Sequence, residues 1–279
     1  MTYQEICNRF KQAGIDSPEW DAALLLEHFC KADRLSLLGN PAKDFSSPAL
    51  EKAVERRAAR YPLQYLLGEW EFYRQTYEVS PDCLIPRADT EILVEQAIRL
   101  LPQGAHFADL CTGSGCIAVS VLAERPDTCG LAVEKFPATL ALAARNAAKN
   151  GVEGRFTPLL SDVLTEDFLS SQPLFDAILS NPPYIKKEVL STLEPELNAE
   201  PAAALDGGED GLIFYRRILE YGQAYLKPDG FFLFEIGFDQ AEDLRELGEE
   251  NGFFHCRVIK DYGGNHRAVL LKRENPHER

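Results

Sequence analysis

From Arg87 onward, strand-like and helix-like segments alternate almost without interruption. Short apolar runs at 106–110, 130–133, 156–160, 177–179, 231–236, 256–260 and 268–272 read as strands. Helical periodicity fills 90–101, 116–124, 137–150, 211–226 and 240–251, between most of those runs. Strands separated by helices join through right-handed crossovers, which build a mainly parallel sheet covered on both faces. Only Tyr262-Gly263-Gly264-Asn265 and its flanks separate the last two runs. So short a link makes a hairpin, and one strand must run antiparallel.

The first seventy or so residues lack this alternation. Thr2 and Glu5 have the spacing of a capping box, and Ile6 and Phe10 lie one helical turn apart before Gly14. Ser17-Pro18 and Ser47-Pro48 each pair a capping serine with a proline suited to a first turn, and Pro62 stops the last helix. His28 stands among apolar residues and reads as a packed or surface histidine, not a ligand. Between Gly68 and Pro86 the pattern turns to Trp70, Phe72, Tyr73, Tyr77 and Val79, the composition of a hairpin. The expected organisation is therefore a helical N-terminal, substrate-docking domain over 1–69, a β-hairpin linker over 70–86 and an α/β domain over 87–279. Nothing in the tail after Arg273 can be buried, and disorder is expected there.

A chain of 279 residues with 45% apolar and 26% charged residues is an ordinary globular sequence with material for a sizeable core. No run approaches the roughly 20 apolar residues of a membrane span, and the first residues lack the pattern of a signal peptide. The seven scattered cysteines form no C-x-x-C pair, so neither a disulfide framework nor a metal site is expected. Reduced thiols imply a cytoplasmic protein. The net charge of −15 disfavours stable binding to nucleic acid and favours a partner with a basic surface. No large apolar interface is advertised, and a monomer is expected.

After the first strand of the α/β region comes Asp109-Leu110-Cys111-Thr112-Gly113-Ser114-Gly115-Cys116, and then a helix. Glycines there let backbone approach a ligand, and the helix start offers unpaired N–H groups. In an open α/β sheet this is the ligand edge. Gly113-x-Gly115-x-x-Ala118 with Glu134 about twenty residues on also fits a dinucleotide fingerprint. Glu134 could accept both hydroxyls of any adenosine ribose. Asp109 separates the two cases: it would repel a pyrophosphate, whereas a cationic sulfonium tolerates it. That favours S-adenosyl-L-methionine over a nicotinamide cofactor.

A fourth strand runs straight into Asn181-Pro182-Pro183-Tyr184. The prolines fix their own φ angles and donate no N–H, so the local carbonyls act as acceptors. Asn181 adds a side-chain carbonyl and Tyr184 an aromatic face. Together they form a receptor for a planar NH2 group, two acceptors for its hydrogens and a ring to stack on its π-system. An amide nitrogen is a poor nucleophile, so orientation and stabilisation of developing positive charge are what such a site must supply.

With these motifs in place, the sequence resembles the protein-glutamine N5-methyltransferases that act on peptide-chain release factors, the PrmC/HemK family. Pro62-Leu63-Gln64-Tyr65 and Gly68-Glu69-Trp70-Glu71-Phe72 resemble the family's junction after its helical domain. Leu84-Ile85-Pro86-Arg87-Ala88-Asp89-Thr90-Glu91 resembles its lead-in to the catalytic domain, and Lys260-Asp261-Tyr262-Gly263-Gly264-Asn265-His266-Arg267 its C-terminal hairpin. The resemblance implies a Rossmann-like, seven-stranded methyltransferase domain behind a small all-helical one. It implies S-adenosyl-L-methionine as donor, S-adenosyl-L-homocysteine as product, and the glutamine of a release factor's Gly-Gly-Gln motif as acceptor. Carried over by position, Asp109, Cys111, Thr112, Gly113, Ser114 and Gly115 hold the methionine part and Glu134 the ribose. Asp162 and Val163 lie near adenine, and Asn181 meets both cofactor and substrate. Asn181, Pro182 and Tyr184 are the implied catalytic residues, and Pro183 completes the substrate pocket. Glu200-Pro201 resembles a family Glu-Pro to which no role is assigned. Cys111 departs from a common glycine, which is tolerable where φ is below zero, and reads as a packing residue. Glu134 departs from a more frequent Asp.

Four other readings compete. One is methylation of another protein glutamine, as in a ribosomal protein, and one is methylation of adenine or cytosine in nucleic acid, which the charge disfavours. A dehydrogenase leaves Asn181-Pro182-Pro183-Tyr184 unexplained. From a different class, a cofactor-binding scaffold without catalysis would have little reason to keep that tetrapeptide beside the glycine loop.

Overall fold

In the N-terminal helices the local signals are realised as hydrogen bonds. A computed structural model describes residues 1–40 and 42–273; the tail at 274–279 lies outside the described residues. Thr2 caps α1 (Tyr3–Gln12) in a complete capping box, its hydroxyl accepting from the Glu5 N–H at 3.2 Å while Glu5 accepts from the Thr2 N–H at 2.8 Å. Helix α2 (Pro18–Cys30) follows, then α3 (Arg34–Gly39), α4 (Pro48–Ala58) and α5 (Leu63–Leu67). Ser47 caps α4 through a bond from the Leu50 N–H, whereas Ser17 sits at the start of α2 without a capping bond. Ile6, Phe10, Leu25, Leu26, Leu50 and Val54 meet in a dry core. His28 is exposed at its rim, edge-on to Phe29.

One compact unit comprises Met1–Glu69 together with Leu193–Glu200, a segment that leaves the rest of the chain and packs among these helices. Within this unit Arg57, almost fully buried, bonds Asp21 at 2.7 Å, Glu196 at 3.1 Å and the Tyr61 carbonyl at 3.2 Å. Removing one member of a buried charge cluster strands the others without water. Arg57→Ala is therefore expected to cost about 3–5 kcal/mol, chiefly because Asp21 loses its cation while Glu196 keeps Arg60 at 2.8 Å. Chemical denaturation would measure this, and a loss below ~1 kcal/mol would show that water reaches the pair.

The second unit spans Trp70–Thr192 and Pro201–Arg279. Strands β1 (Glu69–Phe72) and β2 (Gln75–Glu78) form the expected hairpin. Tyr73 and Arg74 both take positive φ at its turn, the type I′ geometry that matches strand twist. Tyr77 is fully buried, its hydroxyl within 2.7 Å of the Ser120 hydroxyl. Then come α6 (Glu91–Leu100), β3 (His106–Leu110), α7 (Cys116–Glu124), β4 (Cys129–Glu134), α8 (Pro137–Lys149), β5 (Phe156–Leu160) and β6 (Phe175–Ser180). After a long connection follow α9 (Ile213–Gly222), β7 (Leu226–Glu235), α10 (Ala241–Glu250), β8 (His255–Lys260) and β9 (His266–Lys272).

The seven large strands are ordered β5-β4-β3-β6-β7-β9-β8. Pairing is parallel from β5 to β7, and β9 alone runs antiparallel, to both β7 and β8. This is the Rossmann-like sheet and the single reversed strand that the sequence predicts. Apolar layers cover both faces, one around Phe107, Ile117 and Leu179, the other around Ile178, Phe232 and Phe234. Pro158, which cannot donate to a ladder, falls in the edge strand β5. Strand order reverses between β3 and β6, and the crevice at their carboxyl ends is where such folds bind ligands.

Candidate active site

The loop Cys111–Gly115 crosses the carboxyl end of β3, and Asn181 follows the end of β6 directly. A cavity of about 270 Å³ opens between them, near the lower edge of the range for small-molecule sites. Cys111, Thr112, Gly113, Ser114, Glu134, Asp162, Val163, Asn181 and Pro183 all line it. Asp109, Gly115, Pro182 and Tyr184 do not.

Asp109 lies beneath the loop, fully buried. Its Oδ2 accepts from the Thr112 hydroxyl at 2.6 Å and from the Ala118 N–H at 3.2 Å, the third residue of α7. It thus ties the loop to the start of that helix, which has no side-chain cap of its own. Among the described residues Oδ1 has no partner and is buried. Burial pushes this carboxyl up to about 7. Gly115 takes φ of +80°, and a Cβ there would approach the Ala143 Cβ to 3.2 Å. Its smallness seats the loop against α8.

Cys111 takes φ of +58°, in the left-handed region and contrary to the ordinary backbone the sequence reading required. The reason lies in its neighbours. Thr112 turns its N–H onto the Val133 carbonyl of β4 at 3.0 Å, while the Cys111 side chain packs on the apolar layer below. Such a backbone stores on the order of 1 kcal/mol or more. Burial holds the thiol well above its ordinary pKa, so it is a packing group rather than a thiolate nucleophile.

Glu134 ends β4 and is already committed to backbone. One oxygen accepts from Gly113 at 3.1 Å, the other from Lys135 at 2.9 Å and Phe136 at 3.1 Å. The longer side chain thereby links the glycine loop to the start of α8. Each carboxylate oxygen keeps lone-pair capacity toward the cavity. Asp162 pairs with Lys135 at 2.9 Å. Acidic Asp82, Glu134, Asp162 and Asp206 outnumber basic Arg87 and Lys135 around the rim, which suits a cationic ligand.

Asn181 donates its side-chain N–H to the Thr90 hydroxyl at 3.3 Å, leaving Oδ1 as the acceptor. Tyr184 is half-buried behind it; Gln240 donates to its carbonyl at 3.2 Å, and its own hydroxyl approaches Glu235 Oε1 at 3.5 Å. The chain then pairs with 205–208, through Ile185 donating to Leu205 and Gly207 donating to Ile185. That pairing brings Pro201, Ala203 and Ala204 into the cavity wall. The sequence reading assigned no role to these three, nor to Ile85, Thr90 and Phe136, which also line it. The long stretch between β6 and α9 has no periodicity to reveal its fold-back.

Glu235 is fully buried at the end of β7, and burial pushes it, like Asp109, up to about 7. A carboxyl whose folded pKa is raised stabilises the fold most when protonated. Its contribution is complete below the unfolded value near 4 and is lost as pH climbs through about 7. The protein is thus expected to resist denaturant better at pH 5.5 than at pH 8, and Asp109→Asn should shrink that difference. A wild-type midpoint that rises with pH across this window would show that these carboxyls are hydrated.

The sheet order, the glycine loop on a helix start and the acceptor tetrapeptide beside it define a Rossmann-like methyltransferase that uses S-adenosyl-L-methionine. The matches agree: residues 2–68 fit the PrmC N-terminal domain and residues 88–233 the methyltransferase small domain. The chain belongs to the release factor glutamine methyltransferase family. It is 39% identical over 97% of its length to the release factor glutamine methyltransferase of Caulobacter vibrioides, covering 94% of that protein. With the protein of that name from Cereibacter sphaeroides it shares 42% identity over 95% of this chain and 94% of the other. Among solved structures, the hMettl16 catalytic domain in complex with the MAT2A 3′UTR hairpin 6 superposes with a TM-score of 0.58 at 16% identity. It covers 80% of this chain and 83% of that one, a likeness of fold alone. Among the described residues no helix is long and apolar enough to cross a membrane.

Proposed function

We propose that the enzyme methylates the side-chain amide nitrogen of glutamine in the Gly-Gly-Gln motif of peptide-chain release factors. The observation that carries this is Asn181: it stands on the wall of the same cavity as the glycine loop with its amide N–H turned to Thr90 and its Oδ1 left to accept. The names of the relatives supply the acceptor class.

S-adenosyl-L-methionine supplies, when bound, an electrophilic methyl group and leaves as S-adenosyl-L-homocysteine. Glu134, Asp162 and Val163 would hold its nucleoside and the loop Cys111–Gly115 its amino-acid end, with Asp109 holding that loop in place. Asn181 Oδ1 would bind one amide hydrogen of the acceptor glutamine, and a backbone carbonyl of the Pro182-Pro183 stretch the other. Binding both hydrogens aims the nitrogen lone pair along the line of transfer. As the acceptor nitrogen took up the methyl group it would gain positive charge, and these acceptors would stabilise that charge more than they do the neutral amide. One proton then leaves the nitrogen for solvent, so no strong base is needed. Pro183 would close the pocket, and Tyr184 packs against the apolar layer behind it. A basic partner surface suits a chain of net charge −15, and a monomer suffices for this chemistry.

The test is transfer from labelled S-adenosyl-L-methionine to a purified release factor, with peptide mass spectrometry to place the methyl group. Label on the Gly-Gly-Gln glutamine, absent when that glutamine is alanine, is the expected result. No label despite measurable cofactor binding would sink the acceptor assignment and turn attention to ribosomal protein and nucleic-acid amines.

A further inference from the structure

Helix α8 is rich in alanine, yet it buries Asn146 completely. Asparagine is a weaker helix former than alanine, and a buried amide must find partners for its donors and its acceptor. Asn146 finds all of them in backbone. Its Oδ1 accepts from the Glu78 N–H at 2.7 Å. Its Nδ2 donates to the Glu78 carbonyl at 3.1 Å and to the Ser114 carbonyl at 2.9 Å. These partners fix the amide orientation, since reversing it would set an NH2 against an N–H and an oxygen against two carbonyls. Glu78 ends β2 and Ser114 belongs to the glycine loop, so one side chain joins two segments remote in sequence.

Both segments continue into the cavity wall. Beyond Glu78 the chain reaches Asp82, Cys83, Leu84 and Ile85, which line the cavity along with Thr112, Gly113 and Ser114. Cys83 Sγ stands 3.5 Å from where a Cβ on Gly113 would lie, so this stretch packs on the loop. The Ser114–Gly115 peptide is held at both ends, its carbonyl by Asn146 and its N–H by the Thr112 carbonyl at 2.9 Å. Asp109 and Glu134 hold Thr112 and Gly113 from the strand ends, and Asn146 adds a hold from α8. Asn146 itself does not line the cavity. A loop already kept in its binding geometry loses less freedom when a ligand arrives. We propose that Asn146 is a positioning residue that sets cofactor affinity by fixing the Ser114–Gly115 peptide against the chain leaving β2. The inference rests on the cofactor placement proposed above and deepens it by naming what holds the loop from behind.

Asn146→Ala and Asn146→Asp test it, the second keeping the shape and the acceptor while removing both donors. Asn150→Ala is the control: Asn150, at the end of the same helix, bonds β2 through the Thr76 carbonyl at 3.1 Å. Its loss leaves the bond from Asn146 to Ser114 in place. S-adenosyl-L-homocysteine affinity is read by titration, beside melting temperature and kcat at saturating donor with the acceptor that the wild-type enzyme labels. Both Asn146 variants are expected to weaken product binding by at least ~10-fold, the scale of a buried carbonyl left without its donor. Their kcat should stay within about threefold of wild type, because bound cofactor restores the loop. Asn150→Ala should lower the melting temperature and leave affinity unchanged. A smaller loss of affinity in either Asn146 variant, an equal loss in Asn150→Ala, or kcat falling in step with affinity would each overturn the inference. Should neither Asn146 variant fold, exchange of the Glu78 amide hydrogen in the wild-type enzyme decides. Saturating product is expected to slow it at least ~3-fold, and exchange indifferent to product would overturn the inference. Glu134→Ala checks the placement itself: unchanged affinity there would overturn the placement of the cofactor instead, so the two failures are distinguishable.

Discussion

Asn181→Ala is expected to lower turnover by about 10³-fold while S-adenosyl-L-homocysteine binds within a few-fold of the wild-type affinity. The asymmetry follows from where the side chain stands. On the function proposed above, the cofactor would lie against the glycine loop, Glu134, Asp162 and Val163, cavity-lining residues that the substitution leaves in place. The acceptor would lose the Asn181 side-chain carbonyl proposed to bind an amide hydrogen as charge develops on nitrogen. An interaction gained mainly in the transition state appears in kcat rather than in ground-state binding. Isothermal titration with the product, beside a methyl-transfer assay, separates the two. Unchanged turnover would remove Asn181 from the chemistry.

Gly211→Ala is expected to destabilise the fold by about 2–4 kcal/mol and to abolish activity in what remains folded. Gly211 takes φ of +79°, and a Cβ there would stand 2.5 Å from the Tyr184 carbonyl oxygen and 2.8 Å from Gln240 Nε2. Both atoms belong to the bond that anchors the acceptor tetrapeptide. Backbone must therefore move, and it moves at Tyr184. Gly104→Ala is the control, since φ is +69° there but nothing lies within 4 Å of the added methyl. It should show only the cost of the left-handed backbone, about 1 kcal/mol. Equal losses at both positions by urea denaturation would mean that the crowding at Tyr184 relaxes without cost.

Most of the sheet was legible because its information is local. The run Ala177–Leu179 is apolar at every position, as a strand buried on both faces should be, and the Gly263-Gly264 turn marks the reversed strand. The loop Cys111–Gly115 and the Asn181 segment stood out for the same reason: glycine frees the backbone and proline fixes it, and both are local signals. What stayed hidden depends on long-range packing. The positive φ of Cys111 is imposed by β4, which lies twenty residues away in sequence. The fold-back that brings Pro201 and Ala204 to the cavity has no period to read. Asp109 was legible as an acidic strand end, but its depth beneath the loop was not.

The excursion of Leu193–Glu200 changes what counts as a module in this enzyme. The chain that leaves the acceptor tetrapeptide folds its next stretch with the N-terminal helices, through Glu196 on Arg57, and only then returns to wall the cavity. A cut after residue 69 would therefore take away part of the folding partner of an active-site connection, not a detachable appendage. Exchanging the helical region between relatives would likewise transplant a mismatch unless 193–200 travels with it. Inheritance of the two regions is thus coupled by the path of the chain, and a graft respecting that path must be made in two pieces.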